Sequence, residues 1–275
     1  LTVTLIVACA TPMGIVVYNG LRGAPALWGD TAHFEGIGFN LFYATSATAI
    51  AMVIAWCVTT AVWSRLRAFK RAGLCESGAD SQSRPVWRVS RIAATLLVCL
   101  PGLMGSLVLA IVVQALFQIP PLRFAYDTVG RLITGQALWL LPIAVLLWWM
   151  HRATVDGSAV HAARLLRASP APPQRAAWRS LWWSLKGQRV AAMAALLFVW
   201  VYFEVILASL LHPNGGQPMI VRVYNWMHFR QSLVLSAMVC VMIAAPIGLV
   251  VSGAVVLRGA WWLGTWPRMD ADERG

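Results

Sequence analysis

The chain has 275 residues, of which 59% are hydrophobic and only 12% charged, and its formal net charge is +12. Soluble globular domains usually carry about 25% charged residues, and disordered chains are poor in apolar residues. The composition therefore excludes both classes and indicates a membrane protein. In such a protein, an excess of lysine and arginine commonly marks the cytoplasmic loops rather than a nucleic-acid site.

Six apolar windows approach or exceed the length of a membrane-spanning helix, which is about 20 residues. In chain order they are residues 1–18, 41–63, 92–117, 132–150, 190–211 and 232–257. Spans of this kind must be helical, because lipid offers backbone groups no hydrogen-bond partner. The sequence therefore predicts an all-α polytopic bundle of about six spans that forms a single domain over residues 1–275. Pro101, Pro142 and Pro246 lie within these windows and permit kinks or close helix contacts there.

Basic residues are concentrated in two of the connecting stretches. Residues 64–91 hold seven basic and two acidic side chains, and residues 151–189 hold seven basic and one acidic. Under the positive-inside rule, both stretches and both termini are expected in the cytoplasm. Tryptophans cluster near the same ends of the spans, where an indole ring is half solvated at the headgroup level.

The connection formed by residues 151–189 is too long for an ordinary loop of a compact bundle, and long loops are usually functional. Residues 154–168 are rich in alanine and leucine and predict a helix, which the proline-rich stretch 169–173 ends. A second helix is expected from there towards Trp183. Composition alone leaves open whether this pair docks on another protein or lies flat on anionic lipid.

The run His161-Ala162-Ala163-Arg164-Leu165-Leu166-Arg167-Ala168-Ser169-Pro170 resembles the EAA loop of the permease subunits of ABC importers. In that family the loop forms the coupling helix, which lies in a groove of the cytoplasmic ATPase and precedes the last two spans, as it does here. The resemblance therefore assigns ATPase coupling to seven residues: His161, Ala162, Ala163, Arg167, Ala168, Ser169 and Pro170. Two of them depart from the pattern, because His161 stands where the family has Glu and Arg167 where it has Gly.

Two further stretches resemble the iron(III) and thiamine group of these permeases. One leads from Glu204 to Val221-Arg222-Val223-Tyr224-Asn225, and the other from Tyr126-Asp127-Thr128 to Leu140-Leu141-Pro142. The resemblance covers roughly residues 41–257 and implies a type I importer permease in the bacterial inner membrane. In that group two six-span halves are often fused, and a start at Leu1 rather than Met fits the second half of such a fusion.

The resemblance also implies the partners of the chain. They are separate ABC ATPase subunits, a second permease half or subunit, an extracytoplasmic substrate-binding protein and the lipid bilayer, with no nucleic acid. No catalytic residue, metal or cofactor is expected in this subunit.

Glu204 is the one acidic residue within the six windows. A carboxylate inside a span is costly and by default suggests a functional site. Glu204 is therefore predicted to form part of the translocation pathway or its gate. The resemblance adds Arg222, Tyr224 and Asn225 to the gate, with contact to the extracytoplasmic binding protein as the other role it allows. The alternatives are that Glu204 pairs with an arginine or reaches the outer interface, and that residues 221–225 belong to a re-entrant structural plug.

The sequence lacks the common signatures of enzymes. It has no GxxxxGK[ST] phosphate loop, no HExxH and no GxSxG, so ATP hydrolysis is expected in a separate subunit. Its five cysteines lack metal-ligand spacing. The predicted function is thus the transmembrane subunit of an ABC importer, and the alternative is a permease-derived interaction or assembly subunit that has lost its coupling to an ATPase.

Overall fold

The computed structural model describes residues 2–28, 32–75, 84–155, 157–168, 177–178, 180–229 and 232–263. Every regular element within these ranges is helical, which confirms the predicted all-α class. Four helices of the described chain are long and apolar enough to cross a membrane, namely Glu35–Ala61, Val129–Thr154, Ser180–Tyr202 and Leu233–Gly259. A bent pair, Thr95–Leu103 and Ser106–Leu116, makes a fifth candidate if it counts as one span. The architecture is that of a multi-pass membrane protein.

The helices in chain order are α1 (Thr2–Trp28), α2 (Ala32–Cys75), α3 (Arg84–Leu103), α4 (Ser106–Leu116), α5 (Val129–Thr154), α6 (Gly157–Ala168), α7 (Gln188–Tyr202), α8 (Val205–Leu211), α9 (Met219–Trp226) and α10 (Ser232–Leu263). A π-helical turn, Trp183–Gly187, leads directly into α7. Short 3-10 turns cover Pro120–Ala125 and Met227–Phe229. The predicted helix at 154–168 is confirmed as α6.

Hydrogen bonds between helices identify one end of the bundle, and the opposite end is recognised by the helices that begin and end there. At one end, Arg152 Nη1 donates to the Thr59 carbonyl oxygen at 3.0 Å and Arg189 Nη1 donates to the Thr154 carbonyl oxygen at 3.3 Å. We call it the basic end, because the arginine-rich connections 64–91 and 151–189 begin and end there. The opposite end, where α2 begins and α7 ends, is called the short-loop end.

The core is built around α2, which packs against α5 and α7. Its buried face carries small side chains that are at most 1% exposed: Ala44, Ala47, Ala51 and Ala55. Small residues at helix interfaces let backbones approach closely, which is the main source of packing between helices in lipid. A second buried cluster, near the short-loop end, joins α2 and α5 to the two short helices α4 and α8.

The predicted span 92–117 is broken rather than continuous. Helix α3 ends at Leu103, and α4 begins at Ser106 after a bend of 104°. Gly105 takes a φ of 84° at the break, a left-handed conformation that favours glycine. The kink expected near Pro101 is thus a full break a few residues later, which turns α4 across the bundle towards α5 and α8.

The predicted span 190–211 is also divided into two helices. Helix α7 ends at Tyr202, and α8 begins at Val205. The Glu204 carboxylate accepts a hydrogen bond from the Leu207 backbone N–H at 3.4 Å, so Glu204 is the N-cap of α8. On the other side of the break, Asn40 Nδ2 donates to the Tyr202 carbonyl oxygen at 3.2 Å.

Helix α1 packs along α10. Two glycines of α1 make the contact: a Cβ atom on Gly20 would lie 3.1 Å from the Ser236 carbonyl oxygen, and one on Gly23 would overlap the Leu233 carbonyl oxygen. The Cys240 thiol donates to the Val16 carbonyl oxygen at 3.6 Å. The side chains of the first nine residues of the predicted span 1–18 lie outside the described set.

Candidate functional site

The break at Glu204 opens a segment that returns into the bundle at the short-loop end. After α8, the chain turns through Gly215, whose φ is 84°, and enters α9. Helix α9 contacts α2, α8 and α10. Four of its apolar side chains are at most 6% exposed: Met219, Ile220, Val221 and Val223. This packing supports the plug that the sequence left open as an alternative for this segment.

Arg131 fixes the end of α8 to α5. Its guanidinium Nε donates to the Leu211 carbonyl oxygen at 3.3 Å, and Nη2 donates to the His212 carbonyl oxygen at 3.2 Å. These carbonyls end α8, where helix geometry leaves them without a backbone donor and where the helix dipole favours a cation. Arg131 is only 5% exposed, and its Cζ lies 4.3 Å from the ring centroid of Tyr126. The cation is therefore both hydrogen-bonded and stacked on an aromatic face.

Tyr126 lies in the loop between α4 and α5 and extends this arrangement. Gln114 Nε2 donates to its phenolic oxygen at 3.1 Å. Hydrogen bonds from Gln114 and then Gln118, with a smaller contribution from the Arg131 charge, lower the pKa of the Tyr126 phenol from its usual value. The phenolic oxygen of Tyr126 therefore accepts hydrogen bonds that favour the deprotonated phenolate.

The four predicted pathway residues are spread over this segment. Glu204 caps α8, and within the described chain it makes no ion pair, so the predicted alternative of an arginine partner is not seen there. The Arg222 side chain lies beside Gly36 of α2, where a Cβ atom would be 3.6 Å from Arg222 Nε. Tyr224 and Asn225 are exposed, and the Tyr224 ring meets that of His228 edge-on at a centroid distance of 5.5 Å.

Sequence reasoning missed two polar residues of α2 that hold this segment. Asn40 bonds the end of α7, and the hydroxyl of Tyr43, a side chain 1% exposed, donates to the Gly216 carbonyl oxygen at 3.2 Å. Their spacing of three residues places both on one helix face. A polar pair on one face of an otherwise apolar span is the signal that could have found them.

The predicted coupling residues of α6 divide into a buried and an exposed face. Ala163 is completely buried, whereas His161 and Ala162 are exposed and Leu165 is 61% exposed. Ser169 and Pro170 lie outside the described residues, as does the Ala168 side chain. Helix α6 therefore presents an exposed apolar side chain, Leu165, at the basic end of the bundle, beside the His161 position.

Arg167, the residue that stands where the resembling family has Gly, lies next to an aromatic ring. Its Cζ is 5.5 Å from the ring centroid of Trp178, and the rings of Trp178 and Trp182 lie 6.4 Å apart. Lys186 Nζ lies 4.2 Å from the Trp182 centroid. A row of two indoles with a cation at each end thus connects α6 to the helical segment that leads into α7. A glycine at position 167 would leave this row one cation short.

Metal binding has no support in the described chain, where no group of three or more His, Cys, Asp or Glu side chains lies close enough to hold an ion. No protein-family model matches this sequence, and no curated protein matches it either.

Proposed function

We propose that the protein is the transmembrane subunit of an ABC importer of the type I class in a bacterial inner membrane. The observation that carries this proposal is the pair of broken spans whose short halves meet. Helices α4 and α8 pack on each other and on α5, around Gly135, where a Cβ atom would lie 2.5 Å from Leu211 Cδ1. Substrate and ion sites of secondary transporters are commonly built from discontinuous helices, and the meeting of α4 and α8 would give an importer subunit a comparable site.

The connectivity supports a mechanical link between the two ends of the bundle. Helix α6 lies in the chain between α5 and α7, and Arg189 at the start of α7 bonds Thr154 at the end of α5. At the other end, α7 leads to the break at Glu204, and Arg131 of α5 holds the end of α8. A displacement of α6 would thus reach the broken segment through two continuous helices, as rigid elements transmit domain movements.

The subunit would perform no covalent chemistry in this mechanism. ATP binding and hydrolysis would occur in two copies of a separate ATPase, docked on α6, and a second permease half would complete the translocation pathway. An extracytoplasmic binding protein would deliver the substrate at the short-loop end. The basic end and both termini would then face the cytoplasm, in accordance with the distribution of basic residues.

Purification from the native membrane tests this proposal. We expect an ATP-hydrolysing subunit to co-purify with the wild-type chain and to be lost from Leu165→Asp, which places a charge on the exposed face of α6. Ala177→Asp is the matched control, because Ala177 is also exposed and lies in the same connection. An ATPase that is absent from the wild-type preparation, or that stays with Leu165→Asp, contradicts the proposal.

The contact of Arg167 with Trp178 favours a second candidate function, a permease-derived interaction or assembly subunit without ATPase coupling. In this case Arg167 serves the internal packing of the connection rather than a groove of an ATPase. The double variant His161→Glu, Arg167→Gly restores the family pattern at both positions. If it binds a related ATPase that the wild-type chain does not bind, the second function is correct.

A further inference from the structure

Three cations converge at the basic end of the bundle, where α5 ends and α7 begins. Arg152 belongs to the last turn of α5, Lys186 to the π-helical turn and Arg189 to the first turn of α7. Their positive charges all act on the imidazole of His151, so the three lie within electrostatic reach of a single ring. Like charges at such distances repel one another, and an anion bound beside them would offset this cost.

Neighbouring groups hold the three side chains in place. Arg152 Nη1 and Arg189 Nη1 each donate to a backbone carbonyl oxygen, at 3.0 Å and 3.3 Å, and Lys186 Nζ lies 4.2 Å from the ring centroid of Trp182. Arg189 Nη1 also donates to the Thr154 hydroxyl oxygen at 3.1 Å. A guanidinium has five N–H donors, and both bonds of Arg189 use Nη1, so its Nε and Nη2 can donate to a ligand. Arg189 is exposed, and a ligand can therefore reach these donors from outside the bundle.

Carboxylates are scarce at this end of the bundle. The acidic residues within the described part of the chain are Glu35, Asp127 and Glu204, and all of them lie at the short-loop end. The connection 151–189 supplies one further acid, Asp156, against seven basic residues. A pairing with Asp156 would neutralise only one of these cations. The basic end is therefore complementary to an anion that comes from outside the chain.

The level of the three cations along the bundle indicates which anion this is. Arg131 in the first turn of α5 and Arg152 in its last turn lie about 32 Å apart along the axis, at about 1.5 Å per residue. The hydrocarbon core of a bilayer is about 30 Å thick, so Arg152 lies at the level of the phosphate groups of one leaflet. Two indoles of the same helix end are typical of this level: Trp149 is 43% exposed, and the Trp148 ring lies 5.7 Å from that of His151.

We propose that Arg152, Lys186 and Arg189 form a binding site for the headgroup of an anionic phospholipid. The phosphate oxygens accept hydrogen bonds from the Arg189 guanidinium and the Lys186 ammonium, and the acyl chains remain in the bilayer. Basic pockets between helices bind phospholipid headgroups in this manner. The π-helical turn holds more residues than an α-helical turn and so sets the direction of Lys186 and Arg189, and such turns are frequent at functional sites. The site requires a bilayer but no ATPase, so it is independent of the proposed coupling.

Lipid titration of the full chain in a nonionic detergent tests this inference. Native mass spectrometry counts the bound molecules of phosphatidylglycerol and, in a parallel series, of phosphatidylcholine with the same acyl chains. We expect one phosphatidylglycerol to bind more tightly than any phosphatidylcholine. Arg189→Gln and Lys186→Gln should each weaken its binding by about fivefold, the effect of one cation near a lipid surface. Neither variant should change the binding of phosphatidylcholine.

Matched variants separate the site from the overall charge of the protein. Arg123→Gln removes one exposed cation at the short-loop end and should leave the binding of phosphatidylglycerol unchanged. Arg189→Lys keeps the charge and should retain most of the binding. Arg189→Gln keeps a donor for the Thr154 carbonyl oxygen, and Lys186→Gln gives a second result if that variant does not fold.

Three outcomes overturn the proposal. The first is equal binding of the two lipids to the wild-type chain, and the second is a preference for phosphatidylglycerol that survives the double variant Lys186→Gln, Arg189→Gln. The third is an equal loss of binding in Arg123→Gln, which would assign the preference to net charge alone. Inorganic phosphate at the concentration of the lipid should leave the bound phosphatidylglycerol in place. Displacement by inorganic phosphate would assign the site to a free phosphate and overturn its assignment to a lipid.

Discussion

The guanidinium of Arg131 donates a hydrogen bond to the carbonyl oxygen of Leu211 at 3.3 Å, across 80 residues of sequence. It joins the first turn of the continuous helix α5 to the last residue of the short helix α8. A helix of seven residues is marginal by itself, because its few internal hydrogen bonds scarcely offset the cost of nucleation. The buried arginine therefore contributes to the existence of α8 as well as to its position.

Replacement of Arg131 tests this relationship. Arg131→Met keeps much of the apolar stem and removes both hydrogen bonds to the end of α8. We expect a loss of about 2–6 kcal/mol, because two carbonyl oxygens then lose their donor in a buried site at about 1–3 kcal/mol each. Thermal unfolding in detergent measures the change. Arg123→Met, at an exposed position of the same region, should have no comparable effect, and equal stabilities of the two variants would disprove the role of Arg131.

Glu204 combines a structural role that the structure shows with a transport role that remains a prediction. Glu204→Ala should destabilise the chain by about 1 kcal/mol through loss of the N-cap, whereas Glu204→Asp should retain it. Glu204→Gln should lower substrate uptake while the complex still assembles, as expected for an acidic residue of the pathway. Uptake per folded molecule separates the two effects. Full uptake by Glu204→Gln would contradict the transport role and leave Glu204 with only its role as N-cap of α8.

The phenol of Tyr126 should titrate below its usual pKa of about 10. Since its pKa is lowered in the folded state, the stabilisation appears as the pH rises through the folded pKa and is complete above the unfolded pKa. It is lost again as the pH falls through the folded pKa. Difference absorbance at 295 nm between the wild type and Tyr126→Phe measures this titration. Gln114→Leu should raise the pKa, because it removes the largest cause of the shift; an unchanged titration in that variant would refute this cause.

The close approach of α1 to α10 predicts a steep dependence on side-chain size at one position. Gly23→Ala should destabilise the pair by about 1–3 kcal/mol, because the added carbon overlaps the Leu233 backbone and overpacking forces the helices apart. Gly14→Ala is the matched control on the same helix, since a Cβ atom there meets nothing within 4 Å. Thermal unfolding of both variants checks the prediction, which fails if they lose the same stability.

Hydropathy predicted the helical class and the candidate spans from α2, α5, α7 and α10, and the helix formers of residues 154–168 predicted α6. It could not predict the two breaks, because the residues around Gly105 and Glu204 are as apolar as those of an unbroken span. Composition within a window reports how well a segment suits lipid and carries little information on the continuity of the backbone. A single glycine or glutamate among about 20 apolar residues hardly changes the average.

The breaks also depend on partners that are distant in sequence. Asn40 lies 162 residues from the Tyr202 carbonyl that it bonds, and Arg131 lies 81 residues from the His212 carbonyl. Tertiary contacts of this kind override local helix propensity, and they become visible only when the helices are arranged in space.

The pairing of α1 with α10 has a consequence for the biosynthesis of the protein. The hydrogen bond from Cys240 to Val16 spans 224 residues, so the partner surface of α1 does not yet exist when α1 leaves the ribosome. At about 5–20 residues per second, synthesis of the intervening chain takes roughly 11–45 seconds. During this interval Gly20 and Gly23 present an uncovered groove to whatever helices or insertion factors are nearby. The contact between α1 and α10 can therefore form only after α10 has been synthesised and inserted, and α1 would stay free to pair with another molecule until then.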